Sequence, residues 1–279
     1  MHPSMNRIRR AGAALVLTAG VGVGAAACSM STQQEVELGQ QYAAEINRQL
    51  PIVDDATTNQ YINALGSEIA RYGQRNLRYT VFIVNTDAVN AFAVPGGYVY
   101  LNRGLIDETD NLAELAGVLA HEIAHVELRH GAEQMERAQR ANLGLNLAYI
   151  LIGRNPSQLE QAAIQVGGSA WFASHSREAE NEADNVAVDL LVASRIDPNG
   201  MVTFFMELLQ ERQRQPNRFE QWFSTHPLEE QRIAAVRARI QQYSAAQRAN
   251  LTTNTRAYES FKNRLSRYPA PPPEFRVSP

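Results

Sequence analysis

The spacing of apolar residues predicts two amphipathic helices in the first third of the chain. In residues 35–49, and again in residues 59–72, apolar side chains recur at mixed intervals of three and four residues. Such intervals place these side chains on one face of an α-helix. We expect both helices to pack that face against the core.

A different pattern follows and predicts a small β-sheet. Residues 79–85 are rich in β-branched and aromatic side chains, which is typical of a strand. Two further apolar segments, residues 91–94 and 98–101, flank Pro95-Gly96-Gly97, which favours a turn. The region therefore predicts a strand followed by a hairpin.

Helical spacing returns from Asp110 and predicts the central helix of the fold. Asp110 and Asn111 are candidate N-caps, and His130-Gly131 is the expected end. One stripe of this helix is large and apolar: Leu112, Leu115, Leu119, Ile123 and Val126. Its other faces carry mainly alanine and glycine, which let neighbouring backbone approach closely. We therefore expect burial on nearly all sides.

The second half of the chain is predicted to be mostly helical. Residues 142–152 are apolar but too short to cross a bilayer, so we expect them in a helical hairpin. Helices are expected at residues 177–195 and through residues 204–209, separated by the helix-breaking residues 197–200. Residues 246–279 become polar and proline-rich, which predicts an extended, mobile C-terminal tail.

Composition narrows the chemistry that the chain can support. Its 279 residues hold 26 basic and 29 acidic side chains, a formal net charge of -3, so we expect no nucleic-acid partner. Cys28 is the only cysteine, so neither an intramolecular disulfide nor a thiolate-bound zinc cluster is possible. Any metal site must be built from histidines and carboxylates.

The N-terminus predicts export from the cytoplasm. Arg7, Arg9 and Arg10 precede an apolar run, residues 11–27, that ends in small residues, as in a cleaved secretory signal. The sequence around Cys28 resembles the lipobox of bacterial lipoproteins, which implies a lipid anchor at Cys28 and a place at the outer membrane facing the periplasm. Ala25 stands where a lipobox usually has leucine, so ordinary cleavage without lipidation remains the alternative.

The decisive motif is His121-Glu122-Ile123-Ala124-His125 in the predicted central helix. Residues four apart share a helical face, so the two imidazoles can hold one zinc ion, and Glu122 can act as general base towards a bound water. The alternative is a pair of structural helix histidines with Glu122 in an exposed ion pair. The predicted face is lined by small residues rather than charges, which favours the metal site.

A catalytic zinc needs a third protein ligand, and two solutions can be compared. A metzincin pattern is excluded because its last histidine is out of register here. A carboxylate from another helix fits, because Glu180 and Asp184 lie one turn apart in residues 177–195. Asp184 could then orient a ligating imidazole through its other ring nitrogen. The alternative is that this acidic run is simply solvated.

Five segments, in this order, resemble the HtpX-like and BepA-like family of zinc metallopeptidases, relatives of the CAAX prenyl proteases and of mitochondrial Oma. They are residues 90–97, residues 104–106, the His121 motif, residues 176–184 and His226-Pro227. The resemblance covers roughly residues 60–240, and the chain is most similar to the small, stand-alone lipoprotein members.

The resemblance implies a set of functional residues. Glu180 becomes the third zinc ligand, and His226 becomes either a fourth ligand or a donor to the tetrahedral intermediate. An edge strand would hold an extended peptide by main-chain pairing, and its residues here are Asn90, Ala91, Phe92, Ala93 and Val94.

These observations predict an α+β, mainly helical gluzincin-type metallopeptidase with a small β-sheet and one Zn2+ per chain. We expect a signal peptide at residues 1–28, a peptidase domain at residues 29–245 and a tail at residues 246–279. The expected activity is endoproteolysis of misfolded or misassembled envelope proteins. The alternatives are a chaperone-like assembly factor with a latent metal site and a zinc hydrolase acting on cell-wall peptides.

Overall fold

Helices form most of the structure in residues 30–140, 175–228 and 230–277, which the computed structural model describes. The helices are α1 (Thr32–Gln49), α2 (Ala56–Ala70), α3 (Arg103–Glu108), α4 (Leu112–Glu127), α5 (His130–Arg140), α6 (Arg177–Ala193), α7 (Asn199–Arg214), α8 (Pro216–Thr225), α9 (Glu230–Gln241), α10 (Ala245–Arg248) and α11 (Arg256–Ser266). The strands are β1 (Thr80–Val84), β2 (Ala91–Val94) and β3 (Tyr98–Asn102). The predicted α+β class, mainly helical with a small sheet, is confirmed.

The sheet has the order β1-β3-β2, so β2 lies at an edge. β2 and β3 form the predicted antiparallel hairpin, and β1 pairs with β3 in parallel. Gly96 and Gly97 turn the hairpin with φ angles of 87° and 98°, a region that favours glycine. Helix α1 crosses this turn so closely that a Cβ on Gly39 would lie 1.8 Å from Pro95 O.

Helix α4 is the centre of the fold and is buried along its length, as predicted. Asn111 caps its N-terminus by accepting a hydrogen bond from Glu114 N at 3.2 Å. Every residue from Leu112 to Val126 is buried. Helices α6 and α7 pack along it, and β2 and β3 cover another side. A histidine on this helix is therefore shielded from solvent on whichever face it lies.

The end of α4 differs from the prediction. The helix stops at Glu127, and His130 begins α5 instead of ending α4. Between them Arg129 adopts a left-handed conformation with φ 63°. Its guanidinium is held by Glu35 Oε2 at 2.7 Å and Met30 O at 2.9 Å, which stabilises the turn. Because these partners are distant in the sequence, the local spacing of apolar residues could not predict that α4 ends at Glu127.

The predicted extended, mobile tail is wrong for most of residues 246–277. Helix α11 packs against α2 and α3, with Tyr258, Phe261 and Leu265 buried in the core. Beyond it, Thr86 Oγ1 donates to Phe275 O at 2.7 Å, so the proline-rich segment is also tied down. Apolar residues spaced along an otherwise polar helix account for this packing.

Candidate metal centre

Helix α4 places His121 and His125 one turn apart on the same face. Their Nε2 atoms lie 3.0 Å apart, and both residues are buried. The rings meet edge to face with centroids 4.6 Å apart. The four-residue spacing read from the sequence therefore brings two imidazole nitrogens to one point inside the protein.

Helix α6 supplies the carboxylate. Ser176 caps this helix by accepting from Ala179 N at 3.1 Å, which puts Glu180 in the first turn, where a negative charge is favoured. Glu180 Oε1 lies 3.3 Å from His125 Nε2, and Oε2 lies 3.5 Å from His121 Nε2. The alternative of a solvated acidic run does not hold for Glu180, which is fully buried.

His226 reaches the same point from the end of α8. Its Nδ1 lies 3.4 Å from His121 Nε2 and 3.3 Å from Glu180 Oε1. The backbone N–H of His226 donates to Trp222 O at 2.7 Å, and the imidazole ring packs over the Trp222 ring at a centroid distance of 4.8 Å. These contacts place the ring beside the two helix histidines.

The donor set formed by His121, His125, Glu180 and His226 fits a zinc ion. Their ligand atoms lie within 4.8 Å of one another. Zinc binds nitrogen and oxygen at about 2.0–2.2 Å in tetrahedral sites, so its ligand atoms are about 3.3–3.6 Å apart. The separations between neighbouring atoms here run from 3.0 Å to 3.5 Å. Three imidazole nitrogens and one carboxylate are ligand types that zinc binds in proteins, so the residues present fit this ion.

Asp184 and Arg232 hold this donor set in place. Asp184 Oδ1 lies 2.9 Å from His121 Nδ1, as the sequence suggested for an orienting carboxylate. Arg232 donates to both Asp184 oxygens, at 2.8 Å and 2.9 Å, and to Pro227 O at 2.9 Å. Its Nη1 also lies 2.5 Å from Glu180 Oε2. Arg232 was missed from sequence, because only the fold brings α9 beside α6.

Burial and neighbouring charges shift the pKa values in the centre. Burial opposes ionisation of Glu180, but the charges of His226 and His121 outweigh it and hold its pKa well below the usual range. Burial likewise opposes ionisation of Asp184, yet His121 and Arg232 lower its pKa. For Glu122, burial dominates and raises the pKa. The centre thus combines two ionised carboxylates, Glu180 and Asp184, with a third, Glu122, that binds a proton more strongly.

Glu122 faces the metal centre without being part of the donor set. Its Oε1 lies 3.4 Å from His226 Nε2. Within the described part of the chain, no group hydrogen-bonds to this buried oxygen. A carboxylate with raised pKa and a free oxygen beside a metal site is suited to hold and deprotonate a water molecule.

Two histidines that the sequence analysis did not single out also lie at this centre. His130 Nδ1 is 2.8 Å from His125 Nδ1. His175 stacks on His125 with ring centroids 3.9 Å apart, and burial with the charge of His226 lowers its pKa to about 3. Neither stands at a helical interval from the motif, so no local signal marked them.

A cleft opens beside the metal centre. Phe92, Ala93 and Pro95 line one wall, whereas Val126, Ala132, His175 and Thr225 contribute to the others. Of the predicted edge-strand residues, Asn90, Ala91 and Val94 do not line the cleft but are buried. Asn90 Oδ1 accepts from Thr225 Oγ1 at 3.4 Å, which ties the strand to the α8 end.

Two predictions lie outside the described residues: the signal segment with Cys28, and the helical hairpin at residues 142–152. In the three ranges that are described, no helix combines the length and apolar character needed to cross a bilayer.

Comparison with known proteins agrees with the resemblance seen in the sequence. The chain is 35% identical over 225 residues to the Beta-barrel assembly-enhancing protease of Escherichia coli (strain K12), covering 78% of this chain and 46% of that protein. It is 31% identical over 195 residues to Metalloprotease YcaL of the same organism, covering 64% of this chain and 74% of the relative. Mitochondrial metalloendopeptidase OMA1 of Schizosaccharomyces pombe is 30% identical over 168 residues, or 60% of this chain and 48% of its own length.

The chain thus spans less than half the length of the assembly-enhancing protease that it matches. The profile of Peptidase family M48 matches residues 56–240, which contain every residue of the metal centre. The protein belongs to Peptidase family M48.

Proposed function

We propose that this chain is a zinc-dependent endopeptidase that cleaves misfolded or misassembled proteins of a bacterial envelope. The observation that carries the proposal is the convergence of His121, His125 and Glu180 on one buried point, with Glu122 beside it. In this proposal the peptidase domain begins at residue 29 and extends past the predicted boundary at residue 245, because α11 packs into its core.

His121, His125 and Glu180 would hold the ion. A bound zinc ion supplies a Lewis acid for the scissile carbonyl and lowers the pKa of water. Glu122 then takes a proton from the attacking water and delivers it to the leaving amine, so no covalent intermediate with the protein forms. Asp184 and Arg232 keep His121 and Glu180 in position during these proton transfers.

Of the two roles expected for His226, the distances favour a fourth ligand. Its Nδ1 lies among the donor atoms, whereas its Nε2 faces Glu122. A ligand at this place competes with water, which would make the arrangement described here a closed form of the enzyme. When the ring turns away, its N–H can instead donate to the oxyanion.

The substrate would be an extended polypeptide lying along β2. Among the residues described, no strand pairs with the outer edge of β2, so its main-chain groups can add a substrate strand. Asn90 is buried and does not line the cleft, so we propose that it supports β2 through its contact with Thr225 and does not itself touch the substrate. Main-chain recognition would give loose side-chain specificity, which suits unfolded clients.

The location is also part of the proposal. The predicted signal segment supports action in the periplasm, and the name of the Beta-barrel assembly-enhancing protease supports a role in the assembly of β-barrel proteins. We propose that a lipid on Cys28 anchors the chain to the outer membrane. Mass spectrometry of the mature N-terminus tests this, since an unmodified N-terminus would remove the anchor.

The test uses a chain that starts at Ser29, without the signal segment and Cys28, and compares its zinc content and casein cleavage with those of its Glu122→Gln variant. Glu122 is not among the four converging residues, so zinc content should be unchanged. The cleavage rate should fall about 100- to 10,000-fold, the usual contribution of general base catalysis. Glu178→Gln is a matched control, because Glu178 is exposed on α6 and should leave both quantities unchanged.

The other outcomes distinguish the alternatives. Bound zinc without cleavage in any variant would favour either a latent enzyme closed by His226 or the chaperone-like assembly factor. Cleavage of muropeptides but not casein would favour the cell-wall hydrolase. Absence of zinc from the wild-type protein would refute the proposal.

A further inference from the structure

The two histidines of α4 differ in what faces their outer ring nitrogens. His121 Nδ1 lies 2.9 Å from a carboxylate oxygen of Asp184. His125 Nδ1 lies 2.8 Å from Nδ1 of another histidine, His130. His130 is buried, and its Nε2 lies 3.3 Å from Glu182 Oε2. A chain of contacts therefore runs from Glu182 through His130 to His125.

The helix break after α4 creates this arrangement. Had α4 continued, His130 would stand five residues beyond His125 and about 140° away around the helix. The left-handed Arg129 and the new start at His130 bring the ring back under His125. Glu35 and Met30, which bind Arg129, thus support the position of His130 from outside the metal centre.

The proton positions follow from the order of the contacts. A carboxylate accepts hydrogen bonds, so His130 Nε2 carries the proton that faces Glu182. A neutral imidazole has one N–H, which leaves His130 Nδ1 as an acceptor. His125 Nδ1 must then donate, and its Nε2 keeps the lone pair that points at Glu180 and His121. Nε2 is the atom that a metal ion needs unprotonated.

We infer that His130 is a positioning residue that fixes the proton of His125 on Nδ1 and keeps Nε2 free to bind the metal. The inference rests on the metal-binding role proposed above for His125. It assigns the same task to two different partners: Asp184 orients His121 directly, and Glu182 orients His125 through His130. The acidic run of α6 then contributes to the centre with Glu180, Glu182 and Asp184 alike.

His175 supplies a packing control, because among the described residues it stacks on His125 without a hydrogen bond to either of that ring's nitrogens. The two rings stack face to face with an interplanar angle of 23°, and His175 Nδ1 lies 3.4 Å from Gln134 Nε2 instead. Replacing His175 changes the packing on the His125 ring but leaves His130 in place as the partner of His125 Nδ1. The same cluster of His125, His130 and His175 could also hold a second metal ion, so the experiment must separate this alternative.

The experiment uses the chain from Ser29 and two measurements. Zinc affinity and stoichiometry are obtained by competition with a chelator, and two-bond 1H–15N spectra of the zinc-free protein report which nitrogen of His125 carries the proton. His130→Leu should weaken zinc binding about 10- to 100-fold, the usual effect of losing such a partner. His130→Asn, whose amide oxygen can take the place of Nδ1 as acceptor, should recover most of that loss. His175→Asn, which changes the packing on His125 but leaves His130 in place, should weaken zinc binding much less than His130→Leu does.

The zinc-free wild type should carry the His125 proton on Nδ1. A proton on Nε2, or wild-type zinc affinity in His130→Leu, would overturn the inference. Binding of a second zinc equivalent that His130→Leu and His175→Asn both abolish would replace it with a second metal site. If His130→Leu does not fold, the spectrum of the zinc-free wild type and the affinity of His130→Asn still decide. If the wild type binds no zinc, the proposed function fails, but the tautomer measurement still decides the role of His130.

Discussion

Arg232 gives the most direct test of how the metal centre is held together. It is the buried cation between two buried carboxylates, donating to both oxygens of Asp184 and contacting Glu180. The guanidinium also lies 5.1 Å from the centre of the Phe205 ring. Replacing Arg232 with leucine keeps an apolar side chain against that ring but leaves both carboxylates without their cation.

The expected cost follows from burial. The side chains of Arg232 and Asp184 are 6% and 2% exposed, so little solvent screens the pair. Removing one partner of a buried ion pair typically costs about 3–5 kcal/mol, because the other charge stays buried and uncompensated. We expect Arg232→Leu to lower the free energy of unfolding of the zinc-free protein by that amount. The melting temperature should fall by roughly 6–20 °C.

Arg239 provides a control on the same two helices. It donates to both oxygens of Asp189 at 2.9 Å and 2.6 Å, the geometry that Arg232 shows with Asp184. The side chains of this second pair are 31% and 38% exposed. Solvent screening should therefore limit the cost of Arg239→Leu to about 1 kcal/mol or less.

The assay is urea denaturation of zinc-free protein followed by circular dichroism, with both variants measured beside the wild type. Equal losses for the two variants would show that burial does not set the energy of the Arg232 pair. A loss below about 1 kcal/mol for Arg232→Leu would refute the reasoning, because the buried carboxylates would then need no cation.

Three further predictions test the rest of the fold and the centre. Phe261→Ala should cost about 3–5 kcal/mol in urea denaturation if α11 belongs to the core, and a loss below 1 kcal/mol would contradict this. Hydrogen bonds from Arg264 and Thr58 hold the pKa of Asp55 below its usual range, so this carboxylate stabilises the fold above its unfolded pKa of about 4 and loses that effect as the pH falls. Asp55→Asn should therefore reduce the loss of stability between pH 5 and pH 3. Acid sensitivity equal to that of the wild type would refute this prediction. His226→Ala should weaken zinc binding measured by chelator competition, whereas unchanged affinity with turnover about 100-fold lower would identify an oxyanion donor instead.

Much of the local structure could be predicted because it depends on short-range rules. The intervals of apolar residues indicated α1, α2, α4 and α6 to within a few residues of their observed ends. Pro95-Gly96-Gly97 indicated the hairpin because Gly96 and Gly97 adopt positive φ angles there. The prediction failed where distant residues decide: Arg129 breaks α4 with help from Glu35, and α11 follows a polar pattern yet buries Phe261.

The sequence by itself determined which residues can do the chemistry and which pair shares a face. The helical period alone places His121 and His125 together, and the lack of thiolates other than Cys28 leaves histidines and carboxylates as further ligands. The sequence and its family resemblance named Glu180, but only the tertiary structure brings it to the two histidines, because it lies more than fifty residues along the chain on a separate helix.

The tertiary structure also decided what surrounds those ligands. Asp184 was indicated by its spacing from Glu180, but Arg232 and His130 reach the centre because of the packing of α5 and α9, and no local pattern encodes the distances among them. The physical reason is that intervals along a helix depend on bonds between neighbours, whereas a buried polar centre depends on packing that must satisfy every charge at once.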